Sequence, residues 1–213
     1  MYVPSHFRMT GAVAPFAFMA RHAFATLVST HDGAPFATHL PFIVEAGHAD
    51  GSKPGRLRGH MARANPQWRG FGKDEVMVVF AGPHAYISPA WYEDAESVPT
   101  WNYTAVHAYG VPHILEDPFD VRAVLAALVD RNERGFAVPW EMEALSETYL
   151  TGMMKGIVAF DIPIARLDAK EKLSQNRPAA DQHRVAAELA RSSDPTDREA
   201  GMLIADRLAT QPL

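Results

Sequence analysis

Two runs of β-forming residues, Phe24 to Thr30 and Phe36 to Val44, are separated by little more than Asp32-Gly33, a dipeptide suited to the positive φ angles of a tight hairpin turn. No other stretch constrains the fold as strongly, because a hairpin commits the early chain to antiparallel pairing. Pro41 lies inside the second run and has no N–H to give to a ladder, so it marks an edge, a bulge or a strand end. At such a place a ligand reaches backbone groups that the ladder leaves unpaired. Thr38, His39 and Leu40, just before it, are therefore candidate ligand contacts.

The pattern of short strands and turns continues. A Gly/Asp/Lys/Pro turn over Ala46 to Gly55 precedes a third strand at Arg56 to His60. Val76 to Phe80 is an apolar strand, which Gly82-Pro83 punctuates before Ala85 to Ser88 resumes. A polar, acidic loop follows, from Ser88-Pro89 to Val98-Pro99, and alternation then runs from Thr100 to about Leu115. Strands at this spacing predict an antiparallel barrel and argue against alternating βαβ units. Helices are expected around it. Val13 to Met19 reads as a short one, and Asp117-Pro118 opens a second, whose Val121, Val124, Leu125, Leu128 and Val129 share a face before Gly135 closes it. Trp140 to Leu150 reads as another helix, and Gly156 to Ile164 as a strand with Pro163 fitting an edge. Asp181 to Arg191 and Pro195 to Ala209 read as two helices.

At 213 residues a single core is favoured over two. The net charge of -5 argues against nonspecific coating of nucleic acid, which rests on Lys and Arg. A helix-turn-helix in the last segment is weakened in the same way: residues 181 to 211 hold four Arg and no Lys against six acids. The absence of cysteine excludes disulfides, thiol nucleophiles and thiolate zinc sites. Ten histidines lack metal-ligand spacing, so no metal is expected. Neither a signal peptide nor a membrane span is legible, which makes the cytoplasm the expected location.

Three stretches carry candidate chemistry. In the first, Gly59 to Trp68, a strand turns into a helix at Asn65-Pro66, an N-cap and first-turn signature, with Arg63 nearby. Exposed N–H groups, the helix dipole and a guanidinium would together form an anion cradle. The second is an aromatic group, Tyr86, Trp91, Tyr92, Trp101 and Tyr103, with Ser88, His84, Asn102 and His107 among them. That mixture suits a flat heteroaromatic ligand whose faces are packed and whose edges are hydrogen-bonded. The third, Lys170 to Arg177, reads equally well as a solvated connector or as the rim of a polar ligand, with Lys172, Ser174, Gln175 and Asn176 as donors and acceptors. None of Ser29, Ser88 and Ser174 lies in Gly-x-Ser-x-Gly, so a serine hydrolase is disfavoured.

Several long motifs occur in order. They are Met1-Tyr2-Val3-Pro4 with His6-Phe7, Thr38-His39-Leu40-Pro41-Phe42, Gly59-His60-Met61-Ala62-Arg63-Ala64-Asn65-Pro66, and Gly82-Pro83-His84-Ala85-Tyr86-Ile87-Ser88-Pro89. Val98-Pro99-Thr100-Trp101-Asn102-Tyr103 with Val106-His107, and Lys172-Leu173-Ser174-Gln175-Asn176-Arg177, complete the set. In these the chain resembles the PaiB family, the FMN-binding negative transcriptional regulators. Ala90 stands where that resemblance would favour Ser.

The resemblance implies a mostly β fold with α, an antiparallel split β-barrel (the FMN-binding split barrel) with peripheral helices. It would span residues 1–178, and a helical extension would follow over 179–213. It implies a homodimer with FMN at the subunit interface and a role in repressing transcription, although nothing in the sequence independently shows DNA binding. Carried onto this chain, Arg63 and Asn65 with His60 would hold the phosphate, with Met61 and Ala62 beside them. Thr38, His39 and Leu40 would line the flavin. Trp101, Asn102 and Tyr103 would approach the ring or ribityl chain, and Lys172, Ser174, Gln175 and Asn176 would close the site. A flavin-dependent oxidoreductase or flavin reductase is the alternative. A haem-binding split barrel, with His39, His60, His84 or His107 as axial ligand, is a further one.

Overall fold

Asp32 and Gly33 adopt φ angles of 50° and 78°, the two positive values of a type I′ turn, and so close a hairpin of β1 (Phe24–His31) and β2 (Ala34–Pro41). The antiparallel register runs from His31↔Ala34 to Phe24↔Pro41. The expected second strand ends at Pro41. Phe42 is fully buried and donates its N–H to Ala23 O at 2.9 Å, and β3 (Ile43–Glu45) continues in a different sheet. The structure is a computed structural model that describes residues 1–48 and 54–210. Of the turn expected over 46–55, residues 49–53 lie outside the described residues.

Nine strands and five α-helices make a mixed fold with two antiparallel sheets among the described residues. The chain divides into two compact units. The larger comprises Ala12–Phe80 and His107–Leu167; the smaller comprises Met1–Gly11, Ala81–Val106 and the chain from Asp168 onward.

In the larger unit β3 pairs with β4 (Arg56–Ala62), and β4 pairs over its whole length with β8 (Ile157–Pro163), which also pairs with β7 (His113–Leu115). Pro163 therefore ends an interior strand, not the edge strand expected of it, and is tolerated because the β7 pairing stops at Asp161. α1 (Ala14–Arg21) and α2 (Pro118–Glu133) fall where their patterns predict. Asp117 caps α2 by accepting from Phe119 N at 2.8 Å. The helix expected over Trp140 to Leu150 is instead a 3-10 turn at Met142–Ala144 followed by α3 (Glu147–Met154), whose cap is Ser146. Phe42, Phe80 and Phe160 are fully buried at the centre of this unit, with Phe71 edge-on to Phe160 at 5.0 Å.

β5 (Val76–Ile87) runs unbroken through Gly82-Pro83, where a break was expected. The signal is nonetheless real. Buried positions are Val76, Val78 and Phe80 before it and Pro83, Ala85 and Ile87 after it, so the alternation slips by one residue and the strand changes which face it buries. β1 pairs with β5 only over Met77 to Val79, so Pro83 lies beyond that ladder, where its missing N–H costs no bond to β1.

β6 (Thr100–Gly110), of which the residues up to Val106 belong to the smaller unit, lies between β5 and β9 (Arg166–Lys172) in sheet order. β9 is a strand the sequence reading missed, since Arg-Leu-Asp-Ala-Lys-Glu-Lys is dominated by charge. Such residues are common on edge strands, and β9 lies at an edge. α4 (Ala179–Ala190) and α5 (Pro195–Ala209) bury Val185, Leu189, Ala200 and Ile204 against Ala85, Ile87 and Leu173. Among the described residues no helix is long and apolar enough to cross a membrane, and no group of three His, Cys, Asp or Glu could hold a metal ion.

Candidate functional site

The predicted site residues fall into two groups, one in each unit. In the larger unit β4 ends at Ala62 and the chain turns through Arg63 into a 3-10 turn at Pro66–Gly70. Asn65 caps this turn, its Oδ1 accepting from Gln67 N at 2.9 Å, while its Nδ2 donates to Thr38 Oγ1 at 2.9 Å. Thr38 and Asn65, predicted separately, are thus in direct contact. Gln67, which the sequence reading passed over, is 2 % exposed, and its Nε2 lies 3.0 Å from Ser29 Oγ and 3.2 Å from both Leu27 O and Phe36 O. Asn65 and Gln67 together fasten the turn to the β1–β2 hairpin.

Arg63, two residues from Asn65, is directed elsewhere. Its Nε donates to Lys155 O at 2.8 Å and its Nη2 to Ile157 O at 2.7 Å, so it joins the end of β4 to the start of β8. The helix start expected at Asn65-Pro66 is a five-residue 3-10 turn, too short to sum a substantial dipole. What remains for an anion is Nη1 of a guanidinium that the two carbonyls hold in place. His60 has a buried Nδ1 without a hydrogen-bond partner, and burial holds its pKa below the ordinary histidine value. Met61 and Leu40 are buried, Ala62 is exposed, and the exposed His39 stacks on Phe24 at 6.4 Å.

In the smaller unit the alternation of β6 separates three residues predicted together. Trp101 is 55 % exposed and lies 5.9 Å from the Tyr86 ring and 6.2 Å from His84. Tyr103 packs under the Lys170 ammonium, 4.8 Å from the ring centroid. Asn102, between them, is 0 % exposed and donates from Nδ2 to Ser174 Oγ at 2.8 Å. Its Oδ1 is buried and has no partner. Buried acceptors are nearly always satisfied; among the described residues the Oε1 atoms of Gln67 and Gln182 share this state, but neither residue lines this pocket.

Asn102 lines a pocket of about 160 Å³ together with Thr100, Lys172, Ser174, Asn176 and Arg177. Lys172 donates to Thr100 Oγ1, and burial, followed by the nearby Lys170 charge, lowers its pKa from the usual lysine value. Arg177 lies 4.0 Å from the Tyr92 ring centroid and donates to Ser97 at 3.2 Å. Ser174 has φ 64°, a left-handed conformation that costs a non-glycine residue energy and is common at ligand sites. Gln175 lines no part of this pocket. It clips the turn, accepting from Leu173 N at 2.6 Å and donating to Glu171 O at 2.5 Å. The pocket thus offers an unsatisfied acceptor, an ammonium, a guanidinium and an exposed amide. It is chemically suited to the edge of a polar ring that carries both an N–H and carbonyl oxygens.

The helix pair α4 and α5 presents its arginines differently from a DNA reader. Arg184 is bonded to Asp181, Glu93 and Trp91 O, Arg191 to Glu188, Arg198 to Ser192 O and Ser193 O, and Arg207 to Glu171. All four arginines are engaged within the chain.

Comparison with known proteins supports flavin binding by this chain at the level of the family. Residues 1–166 match the family described as "Putative FMN-binding domain". The chain is 38 % identical over 212 residues to the Protease synthase and sporulation protein PAI 2 of Bacillus subtilis, covering 99 % of this chain and all of that one. Among solved structures, the FAD and heme binding protein from Mycobacterium smegmatis aligns with a TM-score of 0.55 at 16 % identity, over 82 % of this chain and 78 % of that one. The flavocytochrome Anf3 from Azotobacter vinelandii aligns with a TM-score of 0.54 at 14 % identity, over 74 % of this chain and 65 % of that one, under two thirds of its length. At these identities the two structures speak for the fold alone.

Proposed function

Because the chain belongs to the FMN-binding domain family, we propose that it binds a flavin, that the flavin is FMN, and that it works as a cytoplasmic homodimer on a split-barrel scaffold. The observation that carries this reading is the buried, unpartnered Oδ1 of Asn102 in a pocket that also holds Lys172. A flavin ring carries an N–H between two carbonyl oxygens, a donor for that acceptor with acceptors beside it for an ammonium. When bound, the flavin supplies one- and two-electron redox chemistry. The residues of this chain hold and orient it, and the Lys172 ammonium favours negative charge on the nearby ring edge.

Arg63, Asn65 and His60 are proposed to meet the phosphate, with Arg63 acting through Nη1, and Thr38, His39, Leu40, Met61 and Ala62 to line that part of the cofactor. Ser174 and Asn176 complete the polar edge beside Asn102, Trp101 and Tyr103 flank them on the other face of β6, and Gln175 supports the turn. The test is a flavin fluorescence titration of Asn102→Leu against the natural chain. The expected result is at least about tenfold weaker FMN binding in a folded protein. Unchanged affinity would overturn the placement.

Transcriptional repression is the role the sequence resemblance suggests. A second reading, a flavin-dependent oxidoreductase, is favoured by the four engaged arginines of α4 and α5. Bleaching of bound flavin by a reduced nicotinamide would support it. Salt-resistant, sequence-specific retardation of DNA would support the regulator instead.

A further inference from the structure

A second cavity lies wholly within the larger unit and takes no part in the polar pocket of Asn102. It has a volume of about 440 Å³ and is walled by Val121 of α2, Met154 of α3, and Ile157 and Val158 of β8. That volume is in the range of small-molecule sites, about 300–1,000 Å³, and its apolar wall would desolvate the body of a ligand. We propose that this cavity binds a small organic anion: an apolar aromatic or aliphatic body bearing one carboxylate or comparable acid. The proposal is independent of the Asn102 pocket but competes with the phosphate placement above for the Nη1 of Arg63, and the FMN competition below decides between them.

Charge at the cavity sets the sign. Arg63 and Lys155 both line it, against one carboxylate, Glu116. Of the acids nearby, Glu147 is paired with Arg122 at 2.8 Å, and Asp117 accepts from Phe119 N at the start of α2. Arg63 is a prepared cation. Its Nε and Nη2 are fixed on the carbonyls of Lys155 and Ile157, so the guanidinium loses little further freedom when Nη1 meets an acid. Trp68 donates to Arg63 O at 2.9 Å, and its ring centroid lies 6.0 Å from the guanidinium carbon, which places a flat aromatic surface beside the anion position. An apolar cavity bordered by a held guanidinium and by a second basic residue, Lys155, complements an amphipathic acid better than a neutral ligand or a cation.

The probe for the test is anilinonaphthalene sulfonate, a flat apolar body with one acid, titrated by fluorescence into the full chain alongside the uncharged N-phenylnaphthylamine. The expected result is saturable binding of the anionic probe at one site per chain, displaced by decanoate and at least about tenfold tighter than the neutral probe. Val121→Trp, which fills the chamber from α2, should abolish this binding while FMN affinity and the melting temperature stay near those of the natural chain. Lys155→Gln should weaken the anionic probe several-fold and leave the neutral one unaffected. Equal binding of both probes, or undiminished binding to Val121→Trp, would overturn the proposal. Displacement of the probe by FMN would assign the cavity to the cofactor's phosphate end and would equally overturn a separate site. The flavin reading fails on a different observation, unchanged FMN affinity in Asn102→Leu.

Discussion

The turn after β4 and the pocket on β6 are both rich in amides, and they differ in how many bonds those amides make to the rest of the chain. In the turn, Asn65 uses both ends of its amide within the chain and the Gln67 Nε2 is surrounded by three acceptors, although the buried Gln67 Oε1 has no partner. In the pocket, Asn102 uses its Nδ2 and leaves a buried Oδ1 with none. Each bond an amide makes within the chain stabilises the native state, whereas a buried amide atom left without one raises its energy. On this comparison the turn is a fastening tied to the β1–β2 hairpin by several bonds, while the pocket amide of Asn102 is held by one.

The largest expected effect tests the fastening. Gln67→Ala removes a buried amide from beside three acceptors and leaves a void, and it should cost about 2–4 kcal/mol in urea unfolding. A loss below about 1 kcal/mol would show that the turn is not held in this way. Asn102→Leu comes next and should separate stability from function. Losing its bond to Ser174 should cost about 1 kcal/mol, because its Oδ1 contributes no bond in the ligand-free chain, while FMN binding falls at least about tenfold. A stability loss as large as that of Gln67→Ala would erase the contrast. Arg63→Ala, which removes two exposed side-chain bonds to carbonyls, should cost about 1 kcal/mol and also weaken FMN. Unaltered FMN affinity would leave Arg63 with the structural role alone.

The smallest effect is one of pH. Burial lowers the His60 pKa from 6.5, so the folded chain holds His60 neutral at pH values where the unfolded chain takes up a proton. Stability from this source is complete above about 6.5 and is lost as pH falls from there through the folded pKa. His60→Gln should flatten that part of the stability profile, and an unchanged slope would place the proton uptake elsewhere.

Much of the architecture was legible because local chemistry dictates it. Asp32-Gly33 permits few turns, and Asp117-Pro118 both caps and starts α2. Three features were not legible, each because of the tertiary context. The charges of β9 hide a strand whose pairing is supplied by a distant partner. Gly82-Pro83 looks like a stop, yet the chain absorbs it as a slip in alternation. Arg63 and Asn65 look like one cradle and diverge, because Arg63 finds the carbonyls of β8 and Asn65 finds Thr38 on β2. For the pocket, the sequence named Asn102, Lys172 and Ser174 as neighbours of a ligand. Only coordinates reveal which atom lacks a partner, since that depends on what the other residues have already bonded.

The smaller unit is assembled from three separated pieces of chain, and this sets the time at which it can form. Met9 N donates to Ala169 O, and Asn102 reaches Ser174 across 72 residues. At a synthesis rate of about 5–20 residues per second, the first two pieces wait several seconds for the third. During that wait Ala85 and Ile87 have neither Leu173 nor the α4–α5 pair to cover them. A nascent chain stalled before Asp168 would therefore leave the apolar strand surface of Ala85 and Ile87 without the partners that cover it in the finished fold.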